Sequence, residues 1–170
     1  VLAPPADGTT GGRPLLNLSF ALNYAISGLQ PWSYHGVNLL IHSLAALTLF
    51  GVVRRTLLLA PLKPRWSGSA LWFAGMTAFI WGVHPVQTQS VTYISQRAES
   101  LMGLFYLLTL YGFIRGLKAR PRLWHTLAVA ACLLGALTKE VIVTAPVLVL
   151  LYDRAFVAGS FVGALLRRKL

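Results

Sequence analysis

The polar stretch His84-Pro-Val-Gln-Thr-Gln-Ser-Val-Thr-Tyr-Ile-Ser-Gln-Arg97-Ala-Glu99 is wedged between two strongly apolar runs, Ala70–Val83 and Leu101–Ile114. In hydrocarbon such a stretch is costly unless it lies at the interface or lines a cavity, because its polar groups find no water there. The rest of the composition says that hydrocarbon is the relevant solvent. Of 170 residues, 56% are apolar and 11% charged, against roughly 25% charged in soluble domains. The chain reads as an all-α membrane protein, with its chemistry expected in the polar stretch.

The net charge of +11 would suit a nucleic-acid partner, but the placement of the charges argues against one. Arg54, Arg55, Lys63 and Arg65 follow one apolar run. Arg115, Lys118, Arg120 and Arg122 follow another, and Arg154, Arg167, Arg168 and Lys169 follow the last. With these twelve of the fifteen basic residues on the cytoplasmic side, every alternate connection is basic, as the positive-inside rule requires. Only Arg13, Arg97 and Lys139 are then left outside. The charge sets topology and meets anionic headgroups, and nucleic acid is excluded as a partner. The single cysteine, Cys132, lies in an apolar run and implies no disulfide framework. With no initiating Met and no signal peptide, the chain reads as an excerpt from a longer membrane protein.

Residues 1–13, rich in Pro, Gly and Thr, are expected to be an irregular external segment. Leu15, Leu18, Leu22, Ile26 and Leu29 then recur at helical spacing with Asn17 and Asn23 among them, which predicts an amphipathic helix lying on the membrane. Gly28 to Ser33, with Pro31, is expected to end it. Spans are predicted over Gly36–Val53, Ser69–Val83 and Glu99–Ile114. The thirty-residue stretch Leu123–Tyr152 is too long for one crossing of a core roughly 30 Å thick. It is therefore predicted to form two passes hinged at Lys139-Glu140. That makes five passes plus the external helix, with a membrane core over 14–156 and an amphipathic basic tail over 157–170. Trp32, Trp66, Trp72, Trp81 and Trp124 fall near the proposed boundaries, as an aromatic belt would.

Three polar sets converge on the external side. His35, Asn38 and His42 are spaced three and four apart, so they share one stripe, with Arg13 and Asn17 nearby. Such a stripe serves as well for interhelical hydrogen bonding as for a site. The second set is His84, Gln87, Arg97 and Glu99. An arginine fork suits a phosphate, while an Arg97–Glu99 surface pair is the structural alternative. The third is Lys139-Glu140, two adjacent residues that point to different partners. External cations at membrane depth suggest a site for a lipid phosphate. No P-loop, dinucleotide fingerprint or zinc-ligand spacing appears, so no metal site is expected.

Arg13-Pro14-Leu15, Asn38-Leu-Leu-Ile-His42, His84-Pro85 with Val91-Thr-Tyr-Ile, Arg97-Ala-Glu99-Ser-Leu, Thr138-Lys139-Glu140 and Leu151-Tyr-Asp153 run in the order of a known family. They resemble the membrane core of the tetratricopeptide-repeat-containing O-mannosyltransferase-like proteins, within the GT-C glycosyltransferase superfamily. The resemblance covers roughly Arg13 to Phe156. It implies a partial GT-C fold and transfer of a mannose-like sugar, with inversion, from a polyprenyl-phosphate donor to a protein or glycan acceptor at the external face. It implies no cofactor beyond that donor, leaves a divalent metal open, and puts Arg13, His84, Arg97 and Lys139 at the donor site. Asn17, His35, Asn38, His42 and Gln87 would support them. The membrane would be the bacterial inner membrane, favoured here, or the endoplasmic reticulum.

The family also carries an acidic pair in its first external loop, and this chain begins past that point. Asp7 lies in a Gly-rich stretch unsuited to the role, and Gln89 stands where many relatives have Glu. Glu99 and Glu140 remain the candidate acids, and this segment alone is expected to be inactive. Two other readings stay open: a lipid-phosphate flippase or transporter, which would want the same external cations, and a membrane scaffold whose polar residues only join helices.

Overall fold

A computed structural model describes residues 12–161. Asp7 with most of segment 1–13, and Arg167, Arg168 and Lys169 of the tail, lie outside the described residues. The described residues form eight α-helices joined by short 3₁₀ and π turns, and no strand is found among them. The helices are α1 (Pro14–Ser27), α2 (Pro31–Leu57), the single turn α3 (Lys63–Trp66), α4 (Ala70–Val83), the short α5 (Thr88–Thr92), α6 (Arg97–Gly116), α7 (Pro121–Ala136) and α8 (Ala145–Asp153). Pro31 starts α2 instead of merely ending α1, because proline's missing N–H costs nothing at a first helical position. The turn between them needs Gly28, at φ 60, and Tyr34 Oη donates to its carbonyl at 2.9 Å.

The long helices alternate in direction along the chain, so that α2 and α6 pack side by side in parallel, and the basic connections among the described residues meet at one end. There Lys118 Nζ donates to the Leu58 carbonyl at 3.0 Å, and Thr56 and Tyr152 share a hydroxyl hydrogen bond of 2.6 Å. Val52, Leu59, Leu110, Phe113, Ile114 and Tyr152 pack beneath them. At the opposite end the Leu15 N–H donates to the Leu137 carbonyl at 3.3 Å, docking the start of α1 on the end of α7. Helix α6 is central, with α2 and α7 on its flanks, and α4 packs on the outer side of α2.

On α4 and α7 small residues face inward and large apolar ones outward. On α4 the buried positions are Ala70, Ala74 and Ala78, one stripe at four-residue spacing, while Trp72 is 74% and Phe79 68% exposed. On α7 the buried positions are Ala128, Ala131 and Gly135, with Leu133 and Val129 outside. A water-soluble helix does the reverse, whereas helices in lipid approach through small residues and turn large ones to the acyl chains. A Cβ at Gly112 would lie 3.0 Å from that of Ala128, so α6 and α7 cross nearly backbone to backbone. In α1 the polar Asn17 and Asn23 are buried, and Leu18, Leu22 and Ile26 are exposed. Among the described residues two helical stretches are long and apolar enough to cross a membrane, Pro31–Leu57 and Glu140–Ala158. Helices α4 and α7 are shorter, at 14 and 16 residues.

Candidate functional site

The end of the bundle away from the basic loops gathers almost every polar residue singled out above. Its floor is the break after α7. Thr138 is fully buried, with its hydroxyl donating to the Gly135 carbonyl at 2.6 Å, and Lys139 is fully extended at φ −160, ψ 140. A 3₁₀ turn, Glu140–Thr144, leads from there into α8. This is the predicted hinge, and the extended residue makes Lys139 and Glu140 diverge. Lys139 Nζ reaches back to an ion pair with Glu99 on the first turn of α6, while Glu140 is exposed. The expected alternative, an Arg97–Glu99 pair, does not form, because Arg97 turns into the bundle.

Arg97 is 0% exposed. Its Nε donates to Asn38 Oδ1 at 2.7 Å, Nη2 to the Tyr34 carbonyl at 3.0 Å and Nη1 to the Ser19 carbonyl at 3.4 Å. The guanidinium also lies 4.6 Å from the Phe20 ring centre and 5.5 Å from that of Tyr34. One side chain thus ties α1, α2 and α6 together, with its fork directed at the protein's own acceptors. This corrects the picture of Arg97 as an open phosphate ligand: the rigid multi-donor fork that suits phosphate equally suits carbonyls converging from two helices.

The His35, Asn38 and His42 stripe forms as predicted and joins helices. Asn38 Nδ2 donates to the Tyr93 carbonyl at 3.3 Å, and His35 Nδ1 lies 3.3 Å from that of Val91. His42 Nε2 donates to the Gly82 carbonyl at 2.8 Å with its ring stacked on Trp81. The carbonyls at the end of α4 and in the following loop are thereby satisfied inside the protein, as a low-dielectric setting demands. His84, extended before Pro85, accepts from the Val86 N–H through Nδ1 at 3.2 Å and is exposed. Arg13 caps α1 beside the end of α7, and Asn17 is buried one turn on.

A cavity of about 550 Å³ opens between α2, α6 and the 3₁₀ turn. Glu99, Ser100, Gln87, Ser90 and His42 line its polar end, and Tyr106 and Thr144 share a hydroxyl contact of 3.1 Å along its wall. Leu49, Trp81, Leu107 and Val141 line the rest. Its size falls in the range of about 300–1,000 Å³ usual for small-molecule sites. Glu99, Gln87 and His42 are thus brought to the cavity directly, Lys139 through its ion pair, and Arg97 lies buried beside it. Ser100 and Tyr106 are not among the candidate residues, because single hydroxyls at the head of or within an apolar run carry no signal; Ser90 belongs to the polar stretch 84–99 and Thr144 interrupts the apolar run 123–152. Among the described residues no cluster of three potential metal ligands occurs.

The sequence that builds this bundle and its cavity has relatives. Over 148 residues, 83% of this chain, it is 38% identical to the protein O-mannosyl-transferase TMTC2 of Mus musculus. The chain is a homologue of the TMTC proteins. It is 35% identical over 161 residues to Tmtc2 of Drosophila melanogaster and 30% identical over 161 residues to TMTC4 of Homo sapiens, in each case 88% of the chain. It spans only 16% to 21% of the length of these relatives. No family model matches, and no solved structure matches.

Proposed function

We propose that residues 14–156 form the membrane core of a GT-C-type glycosyltransferase that crosses the bilayer five times, with the cavity at its external face. The reaction is transfer of a mannose-like sugar from a polyprenyl-phosphate donor to a protein or glycan acceptor. What carries the reading is the Lys139–Glu99 pair at the polar end of the cavity. The names of the homologues support the sugar transfer. The alternating helix directions and the gathered basic loops support five passes, and the inside-out surface supports a lipid surround. The relatives named above are animal proteins, which favours the endoplasmic reticulum over the bacterial membrane.

Displacement at an anomeric carbon needs a base for the acceptor hydroxyl and a cation for the departing phosphate. Lys139 supplies the cation, held in reach by Glu99. Glu99 also stands as a candidate base, alongside the acidic pair that the family carries in its first external loop. Arg97 acts through the scaffold, holding the first turn of α6 and hence Glu99.

The test is transfer from a labelled polyprenyl-phosphate mannose by the full-length protein carrying Lys139→Ala or Lys139→Arg. Losing one cation that stabilises developing charge lowers kcat by about 10²- to 10³-fold, and Arg restores part of it. Transfer by Lys139→Ala within a few-fold of the parent would sink the proposal.

A further inference from the structure

The basic end of the bundle holds an arrangement that topology alone does not require. Two guanidinium groups gather on Tyr111 of α6: Arg55 of α2 at 5.3 Å from its ring centre and Arg115 of α6 at 6.0 Å. Arg115 Nη1 donates to the Tyr111 hydroxyl at 3.1 Å, which leaves the phenol's own proton free to be donated. The same guanidinium lies 4.2 Å from the ring centre of Trp124 on α7. Its Nε–H is buried and finds no acceptor among the described residues. The phenol ring is pinned, because a Cβ on Gly51 of α2 would come within 2.6 Å of it.

Two like charges held on one phenol repel, and a buried N–H without an acceptor is a standing cost. Random basic decoration needs neither the shared phenol nor the glycine that seats it. The repulsion is relieved by one anion carrying several acceptor oxygens, and guanidinium forks match a phosphate in that way. From residue 54 to 65 and from 111 to 124 the sequence carries eight basic residues and no acidic one, and the carboxylate nearest in the fold's basic end, Asp153, is buried.

We propose that Arg55, Tyr111 and Arg115 form a specific site for the phosphodiester of an anionic phospholipid in the leaflet at the basic end, with Trp124 supporting the Arg115 fork. The proposal rests on the membrane reading, which puts the C-terminal ends of α2 and α6 at headgroup depth. The occupied site braces α2, α6 and α7 at the end opposite the cavity.

The test uses the full-length protein in nanodiscs of phosphatidylcholine with a minority of phosphatidylglycerol, reading the lipids retained by native mass spectrometry and the melting temperature. The expected result is a parent protein that retains phosphatidylglycerol preferentially and a variant, Arg55→Gln with Arg115→Gln, that does not. Each guanidinium accounts for about a fivefold preference, the equivalent of the ~1 kcal/mol that one cation gains at an anionic leaflet. Lys63→Gln with Arg122→Gln removes as much charge from the same end and retains the lipid. Equal loss in both pairs overturns the site in favour of a diffuse basic belt. Stabilisation by inorganic phosphate in pure phosphatidylcholine discs, matching that by phosphatidylglycerol, overturns the lipid assignment in favour of a free anion. Where the double variant does not accumulate, Arg115→Lys decides: retention falls if the fork is required, and unchanged retention overturns the site. Protein that never enters the discs refutes the membrane reading itself, a result distinct from inserted protein with no lipid preference.

Discussion

Lys139, in the extended break after α7, ion-pairs with Glu99 on the first turn of α6, forty positions earlier in the chain. Neither residue is fully buried: their side chains are 23% and 42% exposed. The pair therefore stays accessible to a ligand in the cavity while holding the hinge against the central helix. Removing the carboxylate separates these two roles. Glu99→Gln frees the ammonium from its partner, and the expected result is a raised KM for the lipid donor, with kcat lowered as well where Glu99 is the base, and little change in melting temperature, since a partly exposed pair contributes at most about 1 kcal/mol. A large drop in melting temperature with an unchanged KM would make the pair a structural clamp only.

Arg97 behaves in the opposite way. Arg97→Ala leaves Asn38 Oδ1 without its donor and takes a second donor from the Ser19 and Tyr34 carbonyls, which keep their helical N–H partners; an unsatisfied buried polar group costs about 1–3 kcal/mol. The full-length variant is expected to unfold roughly 3 kcal/mol more easily and to accumulate poorly. An Arg97→Ala protein that melts like the parent but transfers no sugar would instead make Arg97 a direct donor ligand.

The crossing of α6 and α7 depends on Gly112. Gly112→Leu forces the helices apart, with an overpacking cost of about 1–3 kcal/mol. A cysteine cross-link between Thr109 and Ala131 positions in that background is expected to form more slowly than in the parent. An undiminished rate would refute the close crossing.

Orientation is open to direct measurement. With Cys132 replaced by Ser, a cysteine at exposed Gln89 is expected to react with an impermeant maleimide from the side of the cavity, and one at exposed Ala119 only after permeabilisation. The opposite labelling pattern would place the cavity in the cytosol and defeat the lipid-donor reading.

Most helix limits were legible in the residues. The expected span Ser69–Val83 is α4 to within a residue, and the hinge at Lys139-Glu140 is the observed break. Such features follow from local chemistry: a proline removes a donor, a glycine takes a positive φ, and an ionisable pair interrupts an apolar run. The alternation of basic loops likewise foretold which helix ends share a side, because that pattern is carried by charge placement alone. The rotation of each helix about its axis was not legible. In α4 nearly every residue is apolar, so no periodicity marks the alanine stripe as the inner face; only the fit against α2 selects it. The same holds for Arg97 and Glu99. Two residues apart on α6, they face different neighbours, and whether each meets carbonyls or an ammonium depends on which helices pack beside that turn. Local chemistry thus governs where helices start and stop and which ends carry the basic residues, while partners across the bundle are chosen by close packing among distant segments, to which no short stretch of sequence has access.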